Sequence, residues 1–243
     1  MRFLLVLLLL IQAPLGPLAA AQPAQPLLWQ PAADYVTIGQ DEPGYRRWVA
    51  MRPWRAGFVS SFHQYLDDAG VAYVVPTWQL LRTASQWGRC GAEPFEMPPM
   101  AEWPNIVQTL RFVRDYVLPA IGPVEAVSAY RNPLLNQCAG GARESVHQHM
   151  SAVDLVPVRP ISRPEMIARL CAAHALQGNR YAVGLGFYTK FRFHVDSWKY
   201  RTWGQNDAGK LACASPVHAP AVPPSSIAAV TVTPVTIDPL APK

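Results

Sequence analysis

Two histidines and one aspartate form the most chemically informative residue set in the sequence. His147 and Asp154 lie in the segment SVHQHMSAVD, residues 145–154, and His194 lies in FRFHVD, residues 191–196. Histidine nitrogens and a carboxylate oxygen are common Zn²⁺ ligands, and three protein ligands leave the fourth tetrahedral position open for water. The pattern therefore predicts a hydrolytic site that holds one Zn²⁺.

Strand alternation indicates how two of these ligands are presented. In an extended segment Arg192, His194 and Asp196 share one face. An arginine and an aspartate beside the histidine would be costly in a core without function, so this face is expected to line a cleft. The same alternation places Ala152 and Asp154 on one face, where the small alanine leaves room for a metal.

His147 lies in a polar stretch that has no apolar face. A core position is therefore disfavoured, and we expect His147 to be a ligand rather than a solvated loop residue.

The elements that must position these residues are a helix, several strands and a second helix. The apolar spacing predicts a helix over 105–121. A strand over 124–130 then delivers Arg131 at its end, and a second strand runs through 153–156. Ser162 and Glu165 have the capping-box spacing, which predicts a helix to about residue 175. Two further β runs are expected over 183–188 and 192–198, joined by a turn at 189–190.

The segment before residue 103 has a different pattern. Residues 22–54 are rich in proline and aromatics and are expected to be irregular. A helix is predicted over 57–68, a short β run over 71–75, a second helical segment over 77–87 and a proline-rich loop over 88–104. We therefore expect an N-terminal irregular and helical extension over 22–102, a domain over 103–214 that carries the zinc site and a disordered tail over 215–243.

The N-terminal 21 residues have the layout of a secretory signal peptide. A positive start at Arg2 is followed by an apolar run over 3–11 and by small residues at Ala19, Ala20 and Ala21. The apolar run is too short to span a bilayer. We expect an exported protein, periplasmic or secreted, without stable membrane insertion after cleavage.

Four cysteines are present, at positions 90, 138, 171 and 213. They form no CxxC pair, so a cysteine-bound zinc is disfavoured, while export permits up to two disulfides. Three pairings are possible; we favour Cys90 with Cys138 and Cys171 with Cys213, with free buried thiols as the alternative.

The chain is basic, with 21 Lys and Arg against 16 Asp and Glu. The positive charges are scattered, without a basic run or a basic-aromatic motif, so a nucleic-acid partner is not expected. Mild attraction to an anionic cell-wall polymer fits this charge.

Several motifs occur in an order that resembles a known family. They are SAYR at 128–131, a Gly-Gly connection at 140–141, Ser145 and His147 followed by Ala152 and Asp154, GLGFY at 184–188 and FHVD at 193–196. Together they resemble the zinc D-Ala-D-Ala carboxypeptidase family, which shares a superfamily with the lysostaphin-type enzymes and the hedgehog signalling domain. The resemblance covers roughly residues 103–204.

The resemblance implies an α+β fold, in which a small antiparallel sheet with flanking helices holds one Zn²⁺. It implies that His147, Asp154 and His194 are the zinc ligands. Arg131 matches the arginine that binds substrate and stabilises charge on the scissile carbonyl. Ser145 matches a serine that lines the site and contacts substrate.

Two departures from the family bear on catalysis. Met150 stands where the family commonly has glycine, so the bend after His147 is a point of difference. Many relatives carry a proton acceptor two or three residues before the last zinc histidine, where this chain has Phe191 and Arg192. Asp196 is then the candidate general base, or alternatively a group that orients the metal site.

The sequence thus predicts an exported zinc metallopeptidase that cuts amide bonds in peptidoglycan peptides. Endopeptidase and carboxypeptidase action both remain open. A catalytically inactive, zinc-containing cell-wall-binding protein of the same fold is the first alternative, and an exported domain with unrelated histidines is the second.

Overall fold

The computed structural model describes residues 29–204 and 213–214. The predicted signal peptide over 1–21 and the predicted tail over 215–243 lie outside the described residues. No helix in the described part of the chain is both long and apolar enough to cross a membrane.

The centre of the fold is a five-stranded sheet in the order β1-β2-β4-β3-β5. The strands are β1 Val124–Ser128, β2 Ala152–Pro157, β3 Gly184–Phe187, β4 Phe193–Asp196 and β5 Arg201–Gly204. The first four pair antiparallel, as predicted, but β5 runs parallel to β3. The prediction of an antiparallel sheet is therefore confirmed for β1 to β4 and wrong for β5. Both edges of β4 are already paired, one with β2 and the other with β3. Strand β5, which follows β4 in the chain, therefore cannot pair with β4 and instead pairs with the outer edge of β3.

The predicted helix over 105–121 is confirmed and begins slightly earlier. It consists of α3 Trp103–Phe112, a π-helical turn Val113–Val117 and α4 Leu118–Ile121. Pro119 does not interrupt it, because proline is tolerated in the first turn of an α segment, where its missing N–H needs no partner. Gly122 ends the helix with a φ of 82°.

The N-terminal region contains more helix and no strand within 71–75. Helix α1 Glu42–Ala50 lies inside the stretch predicted to be irregular, and Asp41 caps it by accepting a hydrogen bond from the N–H of Gly44 at 2.8 Å. Helix α2 Pro53–Asp68 confirms the helix predicted over 57–68. Residues 71–75 form turns with mostly buried side chains rather than the predicted strand, since burial and not strand pairing accounts for their apolar character.

The helix predicted over 77–87 is limited to a 3₁₀ turn, Thr77–Leu81. The chain becomes extended at Arg82, which pairs with Phe95 in an isolated β-bridge. The buried Arg82 guanidinium donates to the carbonyl oxygens of Gln40 at 2.8 Å and Ala126 at 2.7 Å. These contacts between distant parts of the chain override the local helical pattern.

Two short helices complete the fold beside the site. Helix α5 Pro133–Cys138 lies within the connection between β1 and β2, and Asn132 caps it by accepting from the N–H of Leu135 at 2.9 Å. Helix α6 Arg163–Ala173 has the predicted Ser162 cap, which accepts from the N–H of Glu165 at 3.3 Å. A π-helical turn, His174–Gly178, follows α6.

One apolar core joins the N-terminal helices to the sheet. Phe62 from α2, Ile106 from α3 and Leu155 from β2 all belong to the same buried cluster. Both favoured disulfides are present: Cys90 pairs with Cys138, and Cys171 pairs with Cys213. The first ties the loop before α3 to α5, close to the end of β1.

Candidate metal centre

Three elements bring the predicted ligands together. His147 lies in a 3₁₀ turn, Val146–His149, while Asp154 and His194 are directly opposite each other on the antiparallel strands β2 and β4. All three residues are buried. One ligand atom from each lies within 4.8 Å of the other two, so the residues form a group that could hold a metal ion.

The spacing of the ligand atoms fits a tetrahedral metal. Nε2 of His147 lies 3.1 Å from Nδ1 of His194 and 3.3 Å from Oδ1 of Asp154. Nδ1 of His194 lies 3.0 Å from the same oxygen. Zinc–ligand bonds of about 2.0–2.1 Å give a tetrahedral edge of about 3.3 Å, so these three atoms are spaced as one face of such a tetrahedron.

Hydrogen bonds fix the orientation of both imidazole rings. Nδ1–H of His147 donates to the carbonyl oxygen of Ala129 at 2.6 Å, and Nε2–H of His194 donates to Oδ2 of Asp196 at 2.9 Å. Each bond leaves the other ring nitrogen with a lone pair that faces Asp154. Such outer partners are typical of histidines that bind metals.

Asp196 lies behind His194 and is fully buried. Oδ1 accepts from the N–H of Trp198 at 2.9 Å and from Arg201 at 3.1 Å, while Oδ2 accepts from Arg201 at 2.8 Å and from His194. Burial raises the pKa of this carboxyl, but the bonds from His194 and Arg201 outweigh it and hold the pKa at about 2. Of the two roles that the sequence left open for Asp196, this geometry favours orienting His194 over accepting a proton from water.

The protonation states of His147 and Asp154 suit a cation. Burial, together with the nearby Arg131, lowers the pKa of His147 to about 4, so the ring is neutral near pH 7. Burial opposes ionisation of Asp154, but its contacts with His147 and His194 hold its pKa well below the ordinary value. Burial disfavours the charged form of His194, but hydrogen bonds to Asp154 and Asp196 outweigh this and raise its pKa.

Arg131 reaches the site as predicted. It follows β1, and its backbone N–H donates to the carbonyl oxygen of His147 at 3.1 Å. One terminal nitrogen lies 3.8 Å from Oδ2 of Asp154, and its buried Nε has no hydrogen-bond partner among the described residues. The guanidinium therefore faces the ligand group while it keeps donors for another molecule.

A cleft of about 410 Å³ opens over the ligand group. Ser145, the proposed substrate contact, lines this cleft beside His147, and Glu144 and Gln86 lie on the same lining. All of the predicted site residues except Asp196 line the cleft, which agrees with the position of Asp196 behind His194.

Two aromatic residues of the cleft were not assigned a role from the sequence. The hydroxyl of Tyr188 lies 3.3 Å from Oδ1 of Asp154, and burial together with Asp154 raises its pKa, so it stays protonated. The ring of Trp203, on the unpredicted strand β5, has its centre 5.2 Å from the centres of the His194 and Tyr188 rings.

The glycines of GLGF make room for this arrangement. Gly184 and Gly186 are opposite Asp196 and His194 on the neighbouring strand. A Cβ at Gly184 would overlap the Asp196 carboxylate, and a Cβ at Gly186 would overlap the Trp203 ring. Glycines at alternate positions of β3, Gly184 and Gly186, are the sequence signal that could have indicated that other side chains pack closely over this strand.

Met150 adopts a backbone conformation that suits glycine. It follows the His147 turn with φ 49° and ψ 26°, which is the left-handed conformation that glycine adopts freely. The methionine side chain is fully buried. The turn therefore has the conformation that suits glycine, with a buried side chain added.

Comparison with known proteins identifies a family for this region. Residues 81–196 match the sequence model of the Peptidase M15 family. No curated protein and no solved structure matches the chain. The matched region contains the three ligand residues, and it begins before the segment in which the motifs lie. Over residues 81–196, which include the whole ligand group, the chain is thus similar to the Peptidase M15 family, the zinc D-Ala-D-Ala carboxypeptidase type.

Proposed function

We propose that this chain is an exported zinc metallopeptidase that hydrolyses amide bonds in peptidoglycan peptides. The observation that carries the proposal is the ligand group of His147, Asp154 and His194. Both histidines are oriented by outer hydrogen bonds, and the group lies at the base of a cleft. The family match to peptidases supports an amide as the bond that is cut.

The three ligands would hold one Zn²⁺, which when bound supplies Lewis acidity toward a carbonyl oxygen and lowers the pKa of water. Arg131, which faces the ligand group, would donate hydrogen bonds to the oxygen on which negative charge develops. A donor of this kind is often worth about 3 to 4 kcal/mol in the transition state. Tyr188 stays protonated, so it can donate a hydrogen bond but does not serve as an ionised base, and Ser145 is proposed to contact the peptide.

The proposed location and substrate agree with two further observations. The N-terminal sequence has the charge and apolar pattern of a signal peptide, and both disulfides fit an oxidising compartment. A net charge of +5 favours approach to a polymer that carries carboxylates. Peptidoglycan peptides lie outside the cytoplasm and carry carboxylates, so they agree with both the expected export and the positive charge.

A second candidate is a zinc-containing cell-wall-binding protein without catalysis. It is favoured by the absence of a proton acceptor at Phe191 and Arg192 and by the full engagement of Asp196 with three donors. The two candidates share the metal site and differ in the fate of a bound peptide.

Digestion of purified sacculi separates the two candidates. Zinc-loaded protein is incubated with sacculi and with soluble muropeptides, and new peptide ends are measured by mass spectrometry. We expect new ends with wild type and none with His147→Ala or after chelation. Stoichiometric zinc and binding to sacculi, without new ends, would favour the binding protein. Absence of both zinc and binding would contradict both candidates.

A further inference from the structure

Arg192 extends into the cleft between two aromatic rings. Its guanidinium carbon lies 3.8 Å from the ring centre of Tyr188 and 4.8 Å from that of Tyr35. Stacking on aromatic faces fixes the plane of a guanidinium and leaves its edge available for hydrogen bonds. The orientation of the Arg192 guanidinium is therefore fixed by the two rings, unlike that of a freely moving surface side chain.

The donors of Arg192 are not used within the described residues. Its closest approach to Asp154 is 3.9 Å, between Nη1 and Oδ2, which is beyond hydrogen-bond distance. Its Nε is buried and has no partner among the described residues. A buried donor without an acceptor is costly, so the arrangement calls for an acceptor from outside this part of the chain.

The charge of the cleft identifies the acceptor class. Arg131 and Arg192 both approach Oδ2 of Asp154, while its other oxygen, Oδ1, contacts the two histidines. When Asp154 serves as a metal ligand, its charge is shared with the cation, and within residues 29–204 neither guanidinium has a carboxylate of its own. A carboxylate is the acceptor that matches the planar, two-pronged edge of a guanidinium.

We propose that Arg192 is a specificity-determining residue that binds a carboxylate carried by the substrate. This inference rests on the proposed function for the claim that a peptide enters the cleft. Arg131 is then left for the scissile carbonyl. The carboxylate has two possible sources: the C-terminus of the residue after the scissile bond, or an acidic side chain of the peptide.

Residues 34–35, which precede the region matched by the family, help to fix the position of Arg192. The Tyr35 hydroxyl donates to the carbonyl oxygen of Thr189 at 3.0 Å, and Lys190 pairs with Asp34 at 2.9 Å. These contacts fasten the segment to the turn between β3 and β4 that precedes Arg192. Tyr35 is thus a positioning residue, which acts through Arg192.

Calorimetric titration of the zinc-loaded full chain tests the proposal. The probes are D-Ala-D-Ala analogues in which a ketomethylene group replaces the scissile amide, so they cannot be hydrolysed. One has a free C-terminal carboxylate, the second is its C-terminal amide, and the third is that amide with a carboxylate on the first side chain. We expect wild type to bind one of the two carboxylate probes about 10- to 100-fold more tightly than the neutral amide.

In Arg192→Gln the ratio of the affinities for the carboxylate probe and the neutral amide should fall to about one. Exposed Arg180→Gln is the matched control and should keep the wild-type preference. A preference for the free acid identifies the C-terminus as the source, and a preference for the third probe identifies a side chain. Absence of any carboxylate preference in wild type, or a preference that survives Arg192→Gln, would overturn the proposal.

Zinc content and thermal unfolding are measured for each variant. If Arg192→Gln loses zinc or unfolds, the carboxylate preference of Arg192→Lys is measured instead. Lysine keeps the positive charge but lacks the planar edge of the guanidinium. A reduced preference with zinc retained supports the proposal, and an unchanged preference overturns it. An Arg192-dependent preference without hydrolysis of sacculi would contradict the peptidase function while leaving the carboxylate-binding role of Arg192 intact.

Discussion

Asp196 accepts a hydrogen bond from Nε2 of His194, while Nδ1 of the same ring lies 3.0 Å from Asp154. The imidazole therefore connects a buried, arginine-paired carboxylate to the ligand group. This relationship makes Asp196 a residue that acts through His194.

Replacing Asp196 should weaken zinc binding, and any loss of hydrolysis should follow from that weaker binding. For Asp196→Asn we expect zinc affinity to fall about 10- to 100-fold, because outer partners of ligand histidines typically contribute that much. Competition with a chromophoric chelator measures the affinity. Unchanged zinc affinity with complete loss of hydrolysis would instead point to Asp196 as the general base.

Gly186→Ala should disturb the site through Trp203. The added Cβ would overlap the indole ring, which packs against His194, so we expect a loss of stability of about 1 to 3 kcal/mol and weaker zinc binding. Gly57→Ala is the matched control, since its Cβ would meet nothing within 4 Å on an exposed face of α2. The control should be stabilised by about 0.5 to 1 kcal/mol. Chemical denaturation of both variants measures these effects, and equal effects in the two would show that Trp203 is not held against this strand.

Met150→Gly should destabilise the protein although glycine suits the backbone. Removing left-handed strain gains about 1 to 2 kcal/mol, while deleting a buried methionine side chain costs about 2 to 5 kcal/mol. The net expectation is a loss of about 1 to 3 kcal/mol in the free energy of unfolding. A more stable glycine variant in urea denaturation would mean that backbone strain dominates at this turn.

His174 should make stability depend on pH. Burial lowers its pKa, although Nε2–H donates to the carbonyl oxygen of Val183 at 2.9 Å and the ring stacks on Tyr200. Because the folded pKa lies below the unfolded value of about 6.5, the neutral ring's contribution is complete above that pH and is lost as pH falls below it.

Comparison of wild type with His174→Asn isolates this contribution. The stability difference between them should shrink between pH 7 and pH 5, by no more than about 1.4 kcal/mol per pH unit. Urea denaturation across this range measures it, and other titrating groups cancel in the difference. A difference that is constant with pH would show that His174 keeps an ordinary pKa in the folded protein.

The sequence predicted the ligand group because its residues lie on segments with clear local periodicity. Asp154 and His194 are on strands whose alternation defines their faces, and the structure places them opposite each other in register. The polar surroundings of His147 argue against a core position, yet the structure buries its ring within the ligand group. The long helix before β1 and the Ser162 cap were equally local signals and are present in the structure.

The parts that the sequence did not predict depend on contacts between distant segments. Strand β5 has four residues and pairs at an edge that only the finished sheet creates. The expected helix over 77–87 is cut short by the buried Arg82, whose partners lie about 40 residues away on either side. Likewise, Tyr35 meets Arg192 only after the chain has folded back across the β3–β4 turn.

The zinc content of the purified protein tests whether His147, Asp154 and His194 hold a metal ion. After dialysis against metal-free buffer, elemental analysis should give one zinc per chain for wild type and for His63→Ala, whose ring contacts Thr77 away from the site. It should give less than about a tenth of that for His194→Ala, because two remaining ligands hold zinc poorly. No zinc in the wild type, or equal zinc in all three proteins, would contradict the metal site on which the account rests.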